Sequence, residues 1–554
     1  MGVRTLDLPA NDVRLRFGAS LDGTAEERVR SLPAGVPLAV MACASVIGLA
    51  SALGCGLWLY PDSRGYIQMA VDIAERFDFT SELFLIRTPG YPVLLAVIFA
   101  TFGRASPVVI LVLQHVMVVA ITVLVYRIAW ELTANRRTAL LAGLICSFNL
   151  ELLAFANVIM TETLFTLVVT GCVLCLVRFT SRWQLENLAW ASALSGVAYL
   201  VRPIGQVLIV SCLFAGGWVW WKQRRRLSRA AIPGVRGALS VAIACLIPAA
   251  IVSGPVLLHR AMVLGPQPAG WRFRTALYLR AAVVEGLDAP ESAALQEIKR
   301  ATAQALSDGV LAEGVDHRQR LRAVRQVLAH SHEASFAESS ATIGQAGWDL
   351  FQTHSAELLT GTVTHAARTL LMVDGTYRHV PGGDSANANA PRGGGKLLDV
   401  ASYDGMIRPY ISEQVLHRYL PLDPTAGLVT APWAWVMGRF DRLIVDGPGV
   451  PMLADSPREL AIVLCILGGL AGLLTPRRHG WMVLGLTVTM LVAVPAFFCG
   501  TVPRYAVPVH PLLAVCGAHV SIAVGRVVIL LLRGRRHLPT YAETMAERAA
   551  TLRG

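Results

Sequence analysis

The sequence predicts an all-α, multi-pass membrane protein. Charged residues make up only 16% of its 554 residues and hydrophobic residues make up 54%, whereas a soluble globular protein carries about 25% charge. The apolar residues are concentrated in runs of about 20, the length of helix that crosses the hydrocarbon core of a bilayer. Helices are the expected element because a helix satisfies its own backbone hydrogen bonds in lipid.

Ten runs are predicted to span the membrane. They lie at 36–59, 107–130, 138–156, 160–179, 187–201, 204–221, 237–258, 458–475, 480–499 and 505–532. A further run, 91–103, is too short to cross comfortably, because short apolar segments are more often interfacial or re-entrant. We therefore expect residues 91–103 to lie on the outer membrane face.

The basic clusters set the predicted orientation. With ten spans and a cytoplasmic N-terminus, every compact cluster faces the cytoplasm, as the positive-inside rule requires. These clusters lie at 135–137, 178–182, 222–229, 476–479 and 533–536. Counting 91–103 as a span would put all of them outside. Because the clusters adjoin membrane spans, the net charge of +12 does not indicate nucleic-acid binding.

This topology divides the chain into five predicted parts. A large outer segment separates two groups of spans, and amphipathic stretches within it predict a mostly helical structure. The parts are a cytoplasmic tail (1–35), a transmembrane module (36–258) with a first outer loop (60–106), an extracytoplasmic segment (259–457), C-terminal spans (458–532) and a second cytoplasmic tail (533–554).

The first outer loop holds an acid and a base that are candidates for chemistry. Asp62 follows a proline and precedes an amphipathic helix, so it fits either a helix N-cap or a general base. Tyr66 lies one turn later on the same face. Arg87 is followed by the stiff Thr-Pro-Gly-Tyr-Pro. It fits either a contact to lipid headgroups or a phosphate ligand held on a defined backbone path.

Two further acids are candidates. Glu162 opens the predicted fourth span, where an acid is costly unless it faces a cavity. A glutamate in a first helical turn also suits the helix dipole, so structure alone could account for it. Glu82 lies five residues before Arg87 and is a candidate ion-pair partner for it.

Two arginines lie on the side that the positive-inside rule disfavours. The predicted topology places Arg202 and Arg504 at outer ends of spans. With Arg87 they could bind an anionic headgroup, since the planar guanidinium suits phosphate. The alternative is that each side chain simply extends to the membrane interface.

These motifs together resemble the GT-C superfamily of polytopic glycosyltransferases, in particular the branch with protein O-mannosyltransferases and the aminoarabinose transferases that act on lipid A. The resemblance rests on the order, spacing and sidedness of five short motifs. They are Asp62-x-x-x-Tyr66, Arg87-Thr-Pro-Gly-Tyr91-Pro, Thr161-Glu162, Arg202-Pro203 and Arg504-Tyr505-x-x-Pro.

The resemblance implies an inverting sugar transfer at the periplasmic face of a bacterial inner membrane. The implied donor is a sugar on a polyprenyl phosphate, and the acceptor is a lipid, glycan or protein. Asp62 would deprotonate the acceptor hydroxyl. Arg87, with Arg202 or Arg504, would hold the leaving phosphate. Tyr66, Tyr91 and Tyr505 would line the substrate site.

One position departs from the resemblance. Related sequences often carry an acid directly before the cation of the loop motif, and here that residue is Ile86. The second carboxylate of the site is therefore Glu82 or Glu162. A lone carboxylate is a poor ligand set for Mg²⁺ or Mn²⁺, so no metal ligand is assigned and metal dependence stays open.

Two other functions remain as alternatives. A flippase or transporter of lipid-linked sugars would favour acids or broken helices near the membrane midplane, whereas the polar residues here are concentrated on one face. A glycan ligase or polymerase that uses a diphosphate-linked donor would share the outward arginines, so the sequence separates it poorly from a transferase.

Overall fold

The fold is helical, as the sequence predicts. The computed structural model describes residues 35–55, 57–60, 62–81, 83–226, 235–263, 271–284, 286–287, 292–308, 336–371, 396–397, 418–420, 457–475, 477–499 and 503–536. Much of the predicted extracytoplasmic segment and nearly all of both predicted tails lie outside these residues.

The helices of the N-terminal half follow one another closely. They are α1 (Gly35–Cys55), α2 (Ser63–Arg76), α3 (Leu83–Ile86), α4 (Gly90–Phe102), α5 (Ser106–Thr133), α6 (Arg136–Ser147), α7 (Leu150–Ala156), α8 (Glu162–Arg182), α9 (Leu185–Val201), α10 (Val207–Arg226) and α11 (Val235–Val263). Asparagine side chains begin two of them, since Asn135 accepts from the backbone N–H groups of Arg137 and Thr138, and Asn149 accepts from that of Leu152. Such caps satisfy amides that have no partner within the helix.

The C-terminal half continues in the same way. Its helices are α12 (Trp271–Tyr278), which runs into a π-helical turn (Leu279–Val284), then α13 (Ala293–Ser307), α14 (Phe336–Thr353), α15 (Ser355–Leu371), α16 (Pro457–Gly472), α17 (Arg478–Cys499) and α18 (His510–Arg536). Two short strands, β1 (Trp58–Leu59) and β2 (Lys396–Leu397), pair antiparallel. This pairing fixes part of the predicted extracytoplasmic segment beside the first outer loop.

Six described helical segments are long and apolar enough to span a membrane, and a seventh is added if the bent pair α6–α7 forms one span. The predicted spans 36–59, 187–201 and 458–475 also form helices, but these are shorter or less apolar. The all-α, multi-pass fold class is confirmed, and the number of ten spans stays a prediction.

Helix α4 covers the run that we expect on the outer membrane face. A 3-10 turn (Gly103–Ala105) joins it to α5, and together they form a segment of 44 helical residues. At 1.5 Å per residue such a segment is about twice as long as one crossing of ~30 Å requires. Gly103 has a φ of 50°, a left-handed value that glycine adopts readily. The turn is therefore a suitable place for the chain to leave the membrane span.

The main core lies between the central helices. Buried aliphatic side chains of α5, α8, α9, α10, α17 and α18 form one continuous cluster. A second cluster lies beneath the first outer loop and includes Leu59, Ile67, Tyr91, Phe99 and Tyr419. The second cluster holds α2 against α4, which places the candidate acid and base of the loop side by side.

The described part of the extracytoplasmic segment has a small core of its own. Ile298 of α13 and Ile343 and Leu350 of α14 are buried there. Phe351 makes an edge-to-face contact with Phe497 of α17, with 5.9 Å between ring centroids. This segment therefore packs directly on a membrane-spanning helix.

Candidate functional site

Asp62 and Arg87 form an ion pair in the first outer loop. The Nη2 atom of Arg87 lies 2.9 Å from Oδ1 of Asp62, and their side chains are 21% and 29% exposed. Asp62 occupies the N-cap position of α2, but its side chain accepts no capping hydrogen bond there. The carboxylate is therefore turned toward Arg87 and remains accessible from outside the protein.

Tyr66 forms one wall of the Arg87 site. The guanidinium carbon of Arg87 lies 4.5 Å from the Tyr66 ring centroid, a favourable cation–π distance. Burial lowers the pKa of Arg87, but the Tyr66 phenol and the Asp62 carboxylate more than offset it, so its pKa lies above the ordinary value. Gly65 leaves room for this arrangement, because a Cβ there would lie 2.7 Å from Nε of Arg87.

Tyr91 connects this ion pair to a buried polar layer. Its ring meets the Tyr66 ring edge-on with 5.6 Å between centroids. Its hydroxyl donates to Oε1 of Gln114 at 3.2 Å, while Nε2 of Gln114 donates to the carbonyls of Ala156 and Val158. Gln114 thus ties α4 to the chain segment that precedes Glu162.

Glu162 and Arg202 form a second, deeper ion pair. Nη1 of Arg202 lies 2.9 Å from Oε1 of Glu162, and the Glu162 side chain is fully buried. The Arg202 guanidinium also lies over the Tyr505 ring, 4.8 Å from its centroid. Glu162 is close enough to Tyr91 to act on its phenol electrostatically. Tyr91 therefore lies between the two ion pairs.

Close packing at Gly90 brings the two pairs together. A Cβ at Gly90 would lie 2.6 Å from the carbonyl oxygen of Leu200. The first turn of α4, which follows Arg87, therefore rests against the last turn of α9, which precedes Arg202. No larger residue fits at Gly90 without moving one of these helices.

Seven of the nine side chains predicted for the site form one continuous series of contacts and electrostatic interactions. They are, in order of contact, Asp62, Arg87, Tyr66, Tyr91, Glu162, Arg202 and Tyr505. Glu82 lies outside the described residues. Arg504 is in a described 3-10 turn (Pro503–Ala506), but the placement of its side chain is not described. Two of the arginines predicted to share one anion each already face a carboxylate, Arg87 that of Asp62 and Arg202 that of Glu162.

Two polar contacts near the site were not predicted from the sequence. Glu151 lies 2.8 Å from Nδ1 of His510. The hydrogen bond between Tyr91 and Gln114 depends on the fold, because it joins residues on two different helices. For the close packing at Gly65 and Gly90, the sequence gives only a weak indication, which is that each glycine directly precedes a candidate residue, Tyr66 or Tyr91.

Part of the chain matches a protein-family model. Residues 87–251 match the family model described as dolichyl-phosphate-mannose-protein mannosyltransferase. The resemblance to the GT-C glycosyltransferases is thereby confirmed. The matched region includes Arg87, Tyr91, Glu162 and Arg202. No curated protein matches the GT-C-like chain as a sequence.

Three solved structures are similar to this chain. One is the archaeal oligosaccharyltransferase AglB from Archaeoglobus fulgidus, in complex with an inhibitory peptide and a dolichol-phosphate. It has 13% identity and a TM-score of 0.43, and the match covers 93% of this chain and 54% of the AglB chain. An Archaeoglobus fulgidus oligosaccharyltransferase complex with Zn and sulfate has 11% identity and a TM-score of 0.37, over 92% and 52%. Arabinosyltransferase EmbB from Mycobacterium smegmatis has 15% identity and a TM-score of 0.32, over 87% and 42%. The chain thus spans about half the length of the structures it matches.

The described residues do not form a clear metal site. No three His, Cys, Asp or Glu side chains come together there in a way that could hold a metal ion. The two site carboxylates, Asp62 and Glu162, each face an arginine. The donor set on the described side chains therefore does not fit a divalent metal, and metal dependence stays open.

Proposed function

We propose that this protein is a membrane glycosyltransferase that moves a sugar from a polyprenyl-phosphate donor to an acceptor at the extracytoplasmic face, with inversion at the anomeric carbon. The observation that carries the proposal is the accessible Asp62–Arg87 ion pair at one end of the series of site side chains. An acid and a phosphate-binding cation next to each other are what such a transfer requires. The match of residues 87–251 to a family named for a polyprenyl-phosphate sugar supports the donor class.

Asp62 is proposed as the general base. Its carboxylate would take the proton from the acceptor hydroxyl as that oxygen attacks the anomeric carbon. The bond from this carbon to the phosphate oxygen breaks in the same step, and polyprenyl phosphate leaves with the bonding electron pair. Attack opposite the leaving group gives inversion.

Arg87 is proposed to bind the donor phosphate and to stabilise the charge that develops on it. Because Arg87 already holds Asp62, the phosphate and the carboxylate compete for one guanidinium. Donor binding would therefore weaken the ion pair and turn the Asp62 carboxylate toward the acceptor. This exchange links donor binding to activation of the base.

The deeper pair is proposed to complete the substrate site. Of the two candidate second carboxylates, Glu82 and Glu162, we propose Glu162, because its place beside Tyr91 suits contact with sugar hydroxyls. Arg202 holds Glu162 in position and adds positive charge behind the phosphate. Tyr66, Tyr91 and Tyr505 would form the walls of the site, with Glu82 and Arg504 as proposed rim residues.

The proposed location of the protein and the orientation of its site follow from the predicted topology. We propose a bacterial inner-membrane location, with the site on the periplasmic side between the spans of 36–258 and the segment 259–457. The acceptor, which is a lipid, glycan or protein, would approach from the 259–457 side. Residues 458–532 would complete the bundle, with 1–35 and 533–554 as cytoplasmic tails.

The test separates binding from transfer. Membranes containing the full chain are given polyprenyl-phosphate-linked mannose or aminoarabinose, and the released polyprenyl phosphate and glycosylated envelope products are measured by mass spectrometry. Binding of polyprenyl phosphate alone is measured on the purified protein by native mass spectrometry. We expect Asp62→Asn to reduce transfer roughly 100- to 10,000-fold while binding polyprenyl phosphate at least as tightly as wild type.

Arg87→Ala is the matched variant, and we expect it to lose both binding and transfer. Arg104→Ala, an exposed arginine just after α4, is the control and should retain both. If the Asp62→Asn variant and the Arg87→Ala variant each transferred sugar at the wild-type rate, the proposed roles of Asp62 and Arg87 would be disproved. Sugar that moves across the membrane without a covalent product would point to a flippase instead.

A further inference from the structure

A cavity lies at the opposite end of the helix bundle from the candidate site. Its volume is about 260 Å³, and it is enclosed by the end of α5, the start of α6, the turn between α16 and α17, and the second half of α18. By the predicted topology this end faces the cytoplasm. The sugar-transfer site described above uses none of the residues that line it.

The polar side chains that line this cavity are cationic or can donate hydrogen bonds, and Leu132, Ile522 and Ala523 form its apolar part. Arg477, Arg526 and His519 contribute basic side chains. Asn135 uses its side-chain oxygen to cap α6, which leaves its NH₂ group as a donor. The start of α6 adds the partial positive charge of a helix N-terminus. The cavity therefore offers several donors and a positive potential to one ligand.

This positive charge is not neutralised by nearby acids. No carboxylate lines the cavity within the described part of the chain. The nearest acid, Glu131, accepts from Arg178 at 3.1 Å and from Arg182 at 2.8 Å. Arg477 instead donates to the backbone carbonyls of Trp130 and Glu131. Burial and the charge of Arg182 lower the pKa of Arg477 despite the opposing effect of Glu131.

Arg526 is the cation best placed to bind a ligand. It is exposed and makes no ion pair among the described residues. It is close enough to the His519 imidazole, which also lines the cavity, to act on it electrostatically. Around it, α18 presents an apolar surface that includes Val524 and Val527, which are 53% and 55% exposed. The cavity thus adjoins a surface suited to lipid chains.

We propose that this cavity is a binding site for a phosphate group at the cytoplasmic membrane surface. Arg526 and Arg477 would pair with the phosphate oxygens, and Asn135 and His519 would donate hydrogen bonds. Both an anionic lipid headgroup and free phosphate present this chemistry. A lipid would in addition place its chains against the apolar face of α18.

The experiment uses the purified full chain and two probes, phosphatidylglycerol and inorganic phosphate. Native mass spectrometry gives the number of bound molecules and the dissociation constant for each probe, with phosphatidylcholine as the zwitterionic comparison. We expect Arg526→Gln to weaken binding about tenfold, as the loss of one charge-assisted contact does. Arg526→Lys should recover part of the affinity because it keeps the charge.

Arg224→Gln is the matched control, since Arg224 is an exposed arginine outside the cavity. This variant should bind both probes as tightly as wild type does. Saturable binding of phosphatidylglycerol alone identifies a lipid as the source of the phosphate group. Saturable binding of inorganic phosphate, with or without the lipid, identifies a site for free phosphate. The proposal is overturned if neither probe binds, or if Arg526→Gln binds both as tightly as wild type.

Discussion

Arg202 and Glu162 lie 2.9 Å apart at the junction of α8 and α9, and the Glu162 side chain is completely buried. Glu162 is the first residue of α8, and Arg202 directly follows the last residue of α9. The pair therefore holds the start of α8 against the end of α9. It also accounts for an arginine that the predicted topology places on the disfavoured side of the membrane.

Arg202→Ala should destabilise the protein strongly. Removing one member of a buried pair leaves the other charge without compensation, which costs roughly 3–5 kcal/mol. Thermal unfolding of the detergent-solubilised protein would measure the loss. Arg104→Ala, at an exposed position, should leave the unfolding temperature unchanged. Equal unfolding temperatures for the two variants would show that the buried pair does not stabilise the fold.

Gly65→Ala should reduce transfer without destabilising the protein. A Cβ at this position would lie 2.7 Å from Nε of Arg87, so the flexible arginine side chain has to move away from Asp62. Alanine also favours the helix by up to about 1 kcal/mol relative to glycine. The control is Gly217→Ala in α10, where a Cβ meets nothing within 4 Å. Stability and transfer are measured for both variants. Unchanged transfer by Gly65→Ala would show that transfer does not depend on the contact between Arg87 and Asp62.

Gly90→Ala should reduce both stability and transfer. The added Cβ would lie 2.6 Å from the backbone carbonyl of Leu200, and backbone cannot move aside as a side chain does. Overpacking of this kind costs about 1–3 kcal/mol. It would also separate α4 from the end of α9 that leads to Arg202. An unfolding temperature equal to that of Gly217→Ala would contradict the close approach of these helices.

Tyr91→Phe should reveal an energetic coupling between Tyr91 and Gln114. The variant keeps the ring that packs on Tyr66 but removes the hydroxyl that donates to Gln114 at 3.2 Å. A neutral hydrogen bond contributes about 0.5–1.5 kcal/mol. A double-mutant cycle with Gln114→Leu isolates this contribution from the other bonds of Gln114. Strictly additive unfolding free energies would show that the hydrogen bond contributes nothing.

Hydropathy alone predicted the helical multi-pass class, and for a clear physical reason. A span must be apolar over its own length, so its signal is local in the chain. The sequence also identified Asp62 and Arg87 as candidates, because a proline-rich turn fixes the backbone around each. It left open whether Asp62 caps α2, and the structure shows that the carboxylate pairs with Arg87 instead.

The partners of the site residues were decided only by the tertiary structure. The sequence grouped Arg202 with Arg87 and Arg504 by sidedness, whereas packing pairs Arg202 with Glu162, 40 residues away. The contact between Gly90 and Leu200 depends on how two helices cross. Hydropathy of single segments thus determined the class of protein, and their charge predicted the face that carries the candidate site. Which acid faces which arginine depends on contacts between distant segments, and these arise only when the helices pack.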